Sequence, residues 1–175
     1  MKRINHALLF GLLAAVGQLP ALALDTDSKQ PMYIEADSAT YDEGKGQTVY
    51  LGNVRFNQGS LESQSDKMVV YQKDGKTERI ETFGKPTHVK QTPEAGKPPW
   101  QGIGLRGEFF PETSILILYD KAMAWQGDKP ETSDRVTSDR IEYDSTKSVM
   151  KAGLPSNKGD RVHVTLQPKK EEPGQ

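Results

Sequence analysis

The chain of 175 residues has no cysteine, no excess of charge and few core-forming side chains. The missing cysteines exclude a disulfide framework. The 23 basic residues nearly balance the 24 acidic ones, which argues against a general nucleic-acid-binding protein because such a protein needs a basic face. Leu, Ile, Val and Phe make up roughly 18% of the chain after residue 23, below the ~20% that often signals disorder. Disorder also requires high net charge, so we expect a thin folded domain, one curled sheet instead of a deep globule.

Long hydrophobic runs are missing except at the start of the chain. "MKRINH" is basic, "ALLFGLLAAVG" is apolar, and Ala21 to Ala23 read "ALA". A basic head, a short apolar middle and a small-x-small end are typical of a secretory signal peptide, so residues 1–23 are predicted to be cleaved off after Ala23. A retained membrane anchor is the alternative, but it would need about 20 apolar residues. We therefore expect an exported, soluble and mildly acidic chain.

Strand patterns dominate the rest of the sequence. Apolar residues alternate or cluster in runs of about five to eight, separated by turn sequences such as "DEGKG", "KDGK" and "PETS". No segment after the leader has the 3.6-residue period of a helix. Antiparallel hairpins repeated in this way predict a sandwich, a barrel or a rolled sheet, here as one domain over residues 24–167. "TPEAGKPP" is a Pro- and Gly-rich break with no strand, and residues 168–175 are predicted to be a charged, flexible tail.

A weak internal repeat is visible at an offset of 68 residues. It places "TVYLGNVRF" on "LILYDKAMA" and the turn "EGKG" on "PETS", and a second echo sets "SDKMVVY" on "SDRIEYD". A strand, a turn, a long strand and a short strand thus recur twice, which indicates a repeated antiparallel hairpin unit.

The segment "QTVYLGNVRFN", residues 47–57, has no single apolar face. An unpaired buried charge is very costly, so Arg55 is expected outside and the even-numbered residues inside. The residues predicted to face the interior are Tyr50, Val54 and Phe56 in the first copy of the repeat and Leu116, Leu118, Ala122 and Ala124 in the second. A bulge at Gly52, which would let the phase of the strand switch, is the alternative.

No catalytic or metal-binding constellation is recognisable. "GIGLRG", Gly102 to Gly107, matches G-x-G-x-x-G, but a nucleotide loop must follow a buried strand and open a helix. Because "KPPWQ" precedes it, glycines in a loop that leads into a strand are favoured. His88 and His163 have no partner at a metal-ligand spacing and are predicted to be surface residues. The prediction is a non-enzymatic chain with no catalytic residue, no metal and no cofactor.

Both ends of the predicted sheet are expected to be unpaired edges. An early strand follows Pro31, and a late strand alternates cleanly until Pro168. Unpaired backbone groups at an edge either aggregate or receive a further strand. The residues predicted to form these partner edges are Met32, Tyr33 and Ile34 at the start and Val162, Val164 and Leu166 at the end.

The expected interior is apolar but short of side chains to fill it. A thin roll of this kind can hold guest hydrocarbon, with about 0.8 kcal/mol gained for each CH₂ group buried. The residues themselves thus suggest a lipid carrier. A structural β module that joins partners by strand addition and carries no lipid is the alternative, because the same edges would serve it.

A set of motifs in a defined order supports the carrier hypothesis. They are Gln30-Pro31 before an alternating strand, "IEADSA", "GNV" at Gly52 to Val54, "QG" at Gln58-Gly59, "SDK" at Ser65 to Lys67, "GKP" at Gly84 to Pro86 and the closing "VTLQPKK". In this order and spacing they resemble the LptA family of periplasmic lipopolysaccharide-transport proteins over nearly the whole chain after the leader.

The resemblance implies an all-β fold, an antiparallel β-jellyroll of about 16 strands that is twisted and open at both ends. It implies that the acyl chains of lipid A, the lipid part of lipopolysaccharide, bind in the groove at positions that fall on Met32, Ile34, Val89 and Phe109. Copies of the chain would stack head to tail into a periplasmic bridge. This bridge would run from LptC at the inner membrane to the amino-terminal domain of LptD at the outer membrane, with energy supplied by a separate ATPase.

Overall fold

The computed structural model describes residues 27–92, 96–153 and 161–168. The predicted signal peptide and most of the predicted tail lie outside these residues. Ten strands form one sheet in which every described pair is antiparallel. They are β1 (Met32–Glu35), β2 (Ser38–Asp42), β3 (Gln47–Gln58), β4 (Leu61–Lys73), β5 (Lys76–Gln91), β6 (Trp100–Phe110), β7 (Ile115–Gln126), β8 (Arg135–Asp144), β9 (Val149–Ala152) and β10 (His163–Thr165). Two single 3₁₀ turns, Glu43–Lys45 and Pro130–Thr132, join strands.

The pairing of the long strands is interrupted along one line across the sheet. Each interruption is a shift of register in mid-strand, which marks a β-bulge or a bend. The shifts lie between Leu51 and Val54 in β3, Gln64 and Lys67 in β4, Phe83 and Thr87 in β5, Ile103 and Arg106 in β6, and Tyr119 and Ala122 in β7. This line divides the sheet into two half-sheets. The first half-sheet contains residues 54–65 of β3 and β4, 87–91 of β5, 100–103 of β6, 122–126 of β7 and 135–138 of β8. The second half-sheet contains residues 47–51 of β3, 67–83 of β4 and β5, 106–110 of β6, 115–119 of β7 and 140–144 of β8.

The two half-sheets face each other. Phe56 of the first half-sheet lies with its ring centroid 6.3 Å from that of Phe109 in the second, and Trp100 of the first stacks at 4.8 Å on Tyr143 of the second. Six long strands run through both half-sheets, and two short strands border each one, β1 and β10 the first and β2 and β9 the second. Each half-sheet therefore has eight strand segments, which agrees with the jellyroll of about 16 strands that the resemblance implies.

The predicted inner face of β3 is confirmed. Val54 and Phe56 are buried, Tyr50 packs on the core, and Leu51 on the other face is 48% exposed. The bulge at Gly52 is also present, but it does not change the phase of β3. The phase changes instead in β4, where Ser65 and Met68 are both buried although they are three positions apart and would face opposite sides of a regular strand.

The internal repeat corresponds to matching backbone geometry. Residues with positive φ recur at the predicted offset of 68: Gly46 and Ser114, Gly52 and Asp120, and Asn53 and Lys121. The first pair precedes a long strand and the other two form the mid-strand bulges of β3 and β7. Ala122 and Ala124, which follow the second bulge, are each 1% exposed, as predicted from the repeat.

One prediction about the glycines is wrong. Gly102 to Gly107 do not form a loop, because β6 begins at Trp100 and runs through them. Gly102 faces the interior, where a Cβ atom would lie 2.5 Å from Leu118 Cδ1. These glycines are required by close packing inside a strand, a reason that is not visible without the neighbouring strand β7.

Two strand boundaries also differ from the sequence pattern. "ERIETFG" and "PTHVKQ", which are separated by Lys85 in the sequence, belong to one bent strand, β5. The last strand is limited to His163–Thr165, so Val162 and Leu166 flank it at its two ends. Both differences arise because strand limits depend on the partner strand and not on alternation alone.

Candidate functional site

The nine residues predicted to contact lipid meet in one apolar cluster, which also contains Ala122 and Ala124 of the predicted inner face. Val54, Phe56, Val89, Leu116 and Leu118 are buried members of it, and Met32, Ile34, Tyr50 and Phe109 are partly buried against it. They come from β1, β3, β5, β6 and β7 and belong to both half-sheets. The common inward direction is thus a property of the fold, while contact of these residues with lipid stays a prediction.

The same cluster contains residues that the sequence reasoning missed. Leu61, Met68, Ile80 and Ile141 are buried beside the predicted set. Ile80 in "ERIE" and Ile141 in "DRIE" are single apolar residues between charged ones, a signal that could have found them. Met68 could not be assigned in this way, because three consecutive apolar residues, Met68 to Val70, leave the phase of β4 open.

A narrow pocket lies deep between the half-sheets. Its empty space is about 360 Å³ and its lining includes Phe56, Met68, Ile80, Val89, Phe109 and Leu118. The polar lining is partly satisfied internally, since the hydroxyl of Thr87 donates to the backbone oxygen of Gln64 at 3.2 Å or to Thr82 Oγ1 at 3.0 Å. The deep part of the interior can therefore offer contacts to hydrocarbon but few to polar groups.

A second pocket, also of about 360 Å³, lies where the free ends of the two half-sheets approach each other. We call this region the mouth. Its lining is more polar and includes Gln58, Gln91, Ser114, Tyr143 and Ser145 together with Asp27 and Ser28. Burial raises the pKa of Tyr143, so its phenol is neutral at pH 7. Because both pockets share Leu61, Phe109 and Leu116, apolar and polar surfaces adjoin, an arrangement that suits an amphiphilic ligand.

The outer face of the second half-sheet is covered by a charged network. Glu108 of β6 accepts from Arg106 Nη1 at 2.6 Å and from the hydroxyl of Tyr119 at 2.8 Å. Arg79 of β5 lies 3.5 Å from the same carboxylate. Arg106 also stacks on Tyr119, with its Cζ 3.9 Å from the ring centroid. Burial and the hydrogen bond to Glu108 raise the pKa of Tyr119, so this hydroxyl is a stable donor.

The described sheet ends in short strands at both borders, β1 and β2 on one side and β9 and β10 on the other. Large apolar side chains are exposed there: Tyr33 is 63%, Val164 63% and Leu166 74% exposed. Met32 and Ile34 of β1 point inward and pack on the core. The residues predicted to form partner edges thus lie at the borders of the described sheet, while the addition of a further strand there stays a prediction.

The histidines fit no metal site. His163 is exposed on β10, and His88 is half-buried on the outer face with Nε2 3.1 Å from Gln101 Oε1. Burial lowers the pKa of His88. Within the described ranges, no three His, Cys, Asp or Glu residues are grouped so as to hold a metal ion. No helix in the same ranges is long and apolar enough to cross a membrane.

The fold and its interior define a class of protein. It is an antiparallel β-jellyroll whose sheet is folded over an apolar interior and ends in short, accessible edge strands. A family model described as "LptA/(LptD N-terminal domain) LPS transport protein" matches residues 33–149. The chain belongs to this family of lipopolysaccharide-transport proteins, a family of carriers and not of enzymes.

Individual relatives agree with this assignment. The chain is 32% identical to the lipopolysaccharide export system protein LptH of Pseudomonas aeruginosa, with 97% of this chain and 98% of the relative covered. It is 31% identical to LptA of Escherichia coli K12, with 94% of this chain and 85% of the relative covered. The crystal structure of LptH, described as the LptA-homologous periplasmic component of the lipopolysaccharide transport device of P. aeruginosa, superposes with a TM-score of 0.73. It has 26% identity and covers 82% of this chain and 99% of that chain.

Proposed function

We propose that this chain is a periplasmic carrier that holds the acyl chains of lipid A between its half-sheets and passes lipopolysaccharide from copy to copy towards the outer membrane. The supporting observation is the meeting of apolar side chains from both half-sheets in one interior, beneath a polar mouth. The lipopolysaccharide export role of the relatives supports the choice of cargo, and the role of LptH as a periplasmic component supports a periplasmic location.

Binding requires the half-sheets to separate. The deep pocket of about 360 Å³ is bordered by the contact of Phe56 with Phe109, so an acyl chain must part these rings. Each CH₂ group that enters contributes about 0.8 kcal/mol, which offsets the loss of contacts between the half-sheets. The chain performs no chemistry on the lipid, and its part is to exclude water from the acyl chains while they travel.

Transfer between copies would use the borders of the sheet. The β1 and β2 edge of one copy would pair with the β9 and β10 edge of the next, which makes the apolar interiors continuous. At the ends of such a row, LptC at the inner membrane and the amino-terminal domain of LptD at the outer membrane would provide the matching edges. The exposed Tyr33, Val164 and Leu166 are the contacts that this assembly would bury.

Photocrosslinking tests the lipid site. A photoreactive residue at Met32, Ile34 or Phe109 should capture lipopolysaccharide in cells, because these positions pack on the interior. The matched control positions are Arg55 and Asn57, which are exposed on the opposite face of β3. Equal labelling at both sets would overturn the face assignment, and an absence of acyl chains in mass spectra of organic extracts of the purified protein would argue against the carrier.

Substitution at the last strand tests the assembly. Val164→Pro should reduce the size of oligomers while the circular dichroism of the sheet is retained, because proline cannot complete a ladder of hydrogen bonds. Val164→Ala keeps the backbone N–H and serves as control. Filaments of unchanged length in the proline variant would exclude strand addition through this edge.

A structural β module without lipid is the second candidate. It is favoured by the burial of Met68, Leu118 and Ile141 within the apolar cluster, where each is at most 1% exposed. This candidate predicts the same sensitivity to Val164→Pro but no hydrocarbon in the organic extract, so the extract separates the two.

A further inference from the structure

Residues 27–30, which we call the strap, cross the mouth just before β1. The strap is a tight turn in which Gln30 N donates to the backbone oxygen of Asp27 at 3.0 Å. On the side of the first half-sheet, Asp27 Oδ2 accepts from Ser60 Oγ at 2.5 Å and from Gln91 Nε2 at 3.4 Å. On the side of the second half-sheet, Asp27 and Ser28 line the mouth pocket together with Ser114, Tyr143 and Ser145. The strap is therefore hydrogen-bonded to the first half-sheet and faces the second across the mouth pocket.

Two buried amides of the mouth are engaged by this strap. Gln58 is 3% exposed, and its Nε2 donates to the backbone oxygens of Ser28 at 3.4 Å and Gln30 at 3.2 Å. Gln91 is 6% exposed and donates to Asp27. A buried amide without an acceptor is costly, so any ligand that displaces the strap must present acceptors of its own. Ester and amide carbonyls and sugar hydroxyls are acceptors of this kind.

We propose that the mouth pocket is the subsite for the polar linkage of the bound amphiphile, the carbonyls and hydroxyls where acyl chains join the sugar, and that the strap occupies this subsite until the ligand displaces it. This inference rests on the proposed function and adds the position of the polar part of the cargo. The strap supplies carbonyl and carboxylate oxygens to Gln58 and Gln91, and the ligand supplies equivalent oxygens after the strap has moved.

A disulfide lock tests whether the strap must move. The chain has no native cysteine, so Asp27→Cys with Ser60→Cys, at the site of the 2.5 Å contact, yields a single possible bridge. The oxidised protein should bind purified rough lipopolysaccharide at least tenfold more weakly than the same protein after reduction. The control pair is Asn57→Cys with Glu62→Cys, register partners on the exposed face of the same hairpin, which should bind equally in both redox states. If the oxidised and the reduced forms of the lock bind lipopolysaccharide equally well, the strap does not have to move for binding.

A side chain at position 59 tests whether displacement of the strap favours lipopolysaccharide binding. Gly59 has φ +58°, and a Cβ atom there would lie 2.9 Å from the Cα of Asp27. Asparagine tolerates this backbone conformation, so Gly59→Asn should push the strap away and tighten lipopolysaccharide binding about fivefold, the effect of one hydrogen bond removed from the competing state. The control is Gly75→Asn, at φ +74° with nothing within 4 Å of a Cβ. Equal affinity of Gly59→Asn and Gly75→Asn for lipopolysaccharide would contradict competition between the strap and the ligand.

The polar subsite is tested with the strap already displaced. Gln91→Met in the Gly59→Asn background removes an amide that can no longer serve the strap. Lipopolysaccharide should then bind about fivefold more weakly than to Gly59→Asn alone, and unchanged affinity would exclude a ligand contact at Gln91. A failure of the unaltered chain to bind lipopolysaccharide at all would instead remove the proposed function, so the two failures are distinguishable.

Discussion

Both faces of the second half-sheet contain buried residues, but these are buried by different means. On the inner face, Leu118 and Ile141 are each 1% exposed within a hydrocarbon cluster. On the outer face, Glu108 is 8% exposed and accepts hydrogen bonds from Arg106 and Tyr119. Apolar burial has no preferred direction and a guest hydrocarbon can replace it, whereas the outer contacts are directional hydrogen bonds and ion pairs. The polar contacts on the outer face can therefore maintain the sheet while apolar contacts on the inner face are replaced by contacts with a guest hydrocarbon.

The largest effect is expected on the inner face. Leu118→Ala removes a side chain that packs against the positions of Gly102 and Gly107, and the free energy of unfolding should fall by about 2–5 kcal/mol because a cavity remains. Urea unfolding of the purified protein measures it. Leu105→Ala, at a 40% exposed position of the bend, is the matched control and should change stability by less than about 0.5 kcal/mol. Equal losses in the two variants would show that the interior is not the main source of stability.

An intermediate effect is expected on the outer face. Glu108→Ala leaves Arg106 and Tyr119 without their shared acceptor, and the free energy of unfolding should fall by about 1–3 kcal/mol. Glu112→Ala, at an exposed position in the next turn, controls for the loss of one negative charge. If Glu108→Ala is as stable as Glu112→Ala in the same urea experiment, the outer network does not hold the sheet and the contrast between the faces fails.

The smallest effect concerns the pH dependence of the outer face. Hydrogen bonds from Arg140 and Lys151 lower the pKa of Glu142, so the folded value is below the unfolded value of about 4.3. The stabilisation is therefore present above the unfolded pKa and is lost as the pH falls through the folded pKa. Glu142→Gln should be less stable than the unaltered chain at pH 7 by under about 1 kcal/mol, since the pair is partly exposed. Urea midpoints of the two proteins should converge as the pH falls through the folded pKa, and a constant difference would exclude this carboxylate as the cause.

Much of the inner face could be predicted from local pattern. Burial of the Arg55 charge would be very costly, so the opposite face of the strand, with Tyr50, Val54 and Phe56, was predicted to be inside. The internal repeat extended this prediction to Leu116 and Leu118. The prediction succeeds where a strand keeps its phase through the bend, as β3 and β7 do. In β4 the phase changes between Ser65 and Met68, and no local pattern indicates this because the bend is imposed by the neighbouring strands.

The outer network and the strap were not predicted. A charged residue such as Glu108 is expected in water, and its burial depends on Arg79, Arg106 and Tyr119, which come from three adjacent strands. Gln91 and Asp27 are 64 residues apart. Contacts at such separations follow from strand register and have no signature in the order of residues.

Local order along the chain was enough to specify the antiparallel hairpins, the inward residues of the repeat, the two apolar edge segments and the family, because alternation, turn chemistry and motif order act over short distances. Long-range packing was needed to fold one sheet along a line of bends and to bring Phe56 to Phe109. It was also needed to place the glycines of β6 inside a strand and residues 27–30 across the mouth. These outcomes depend on side chains that meet only after strands distant in the chain have paired.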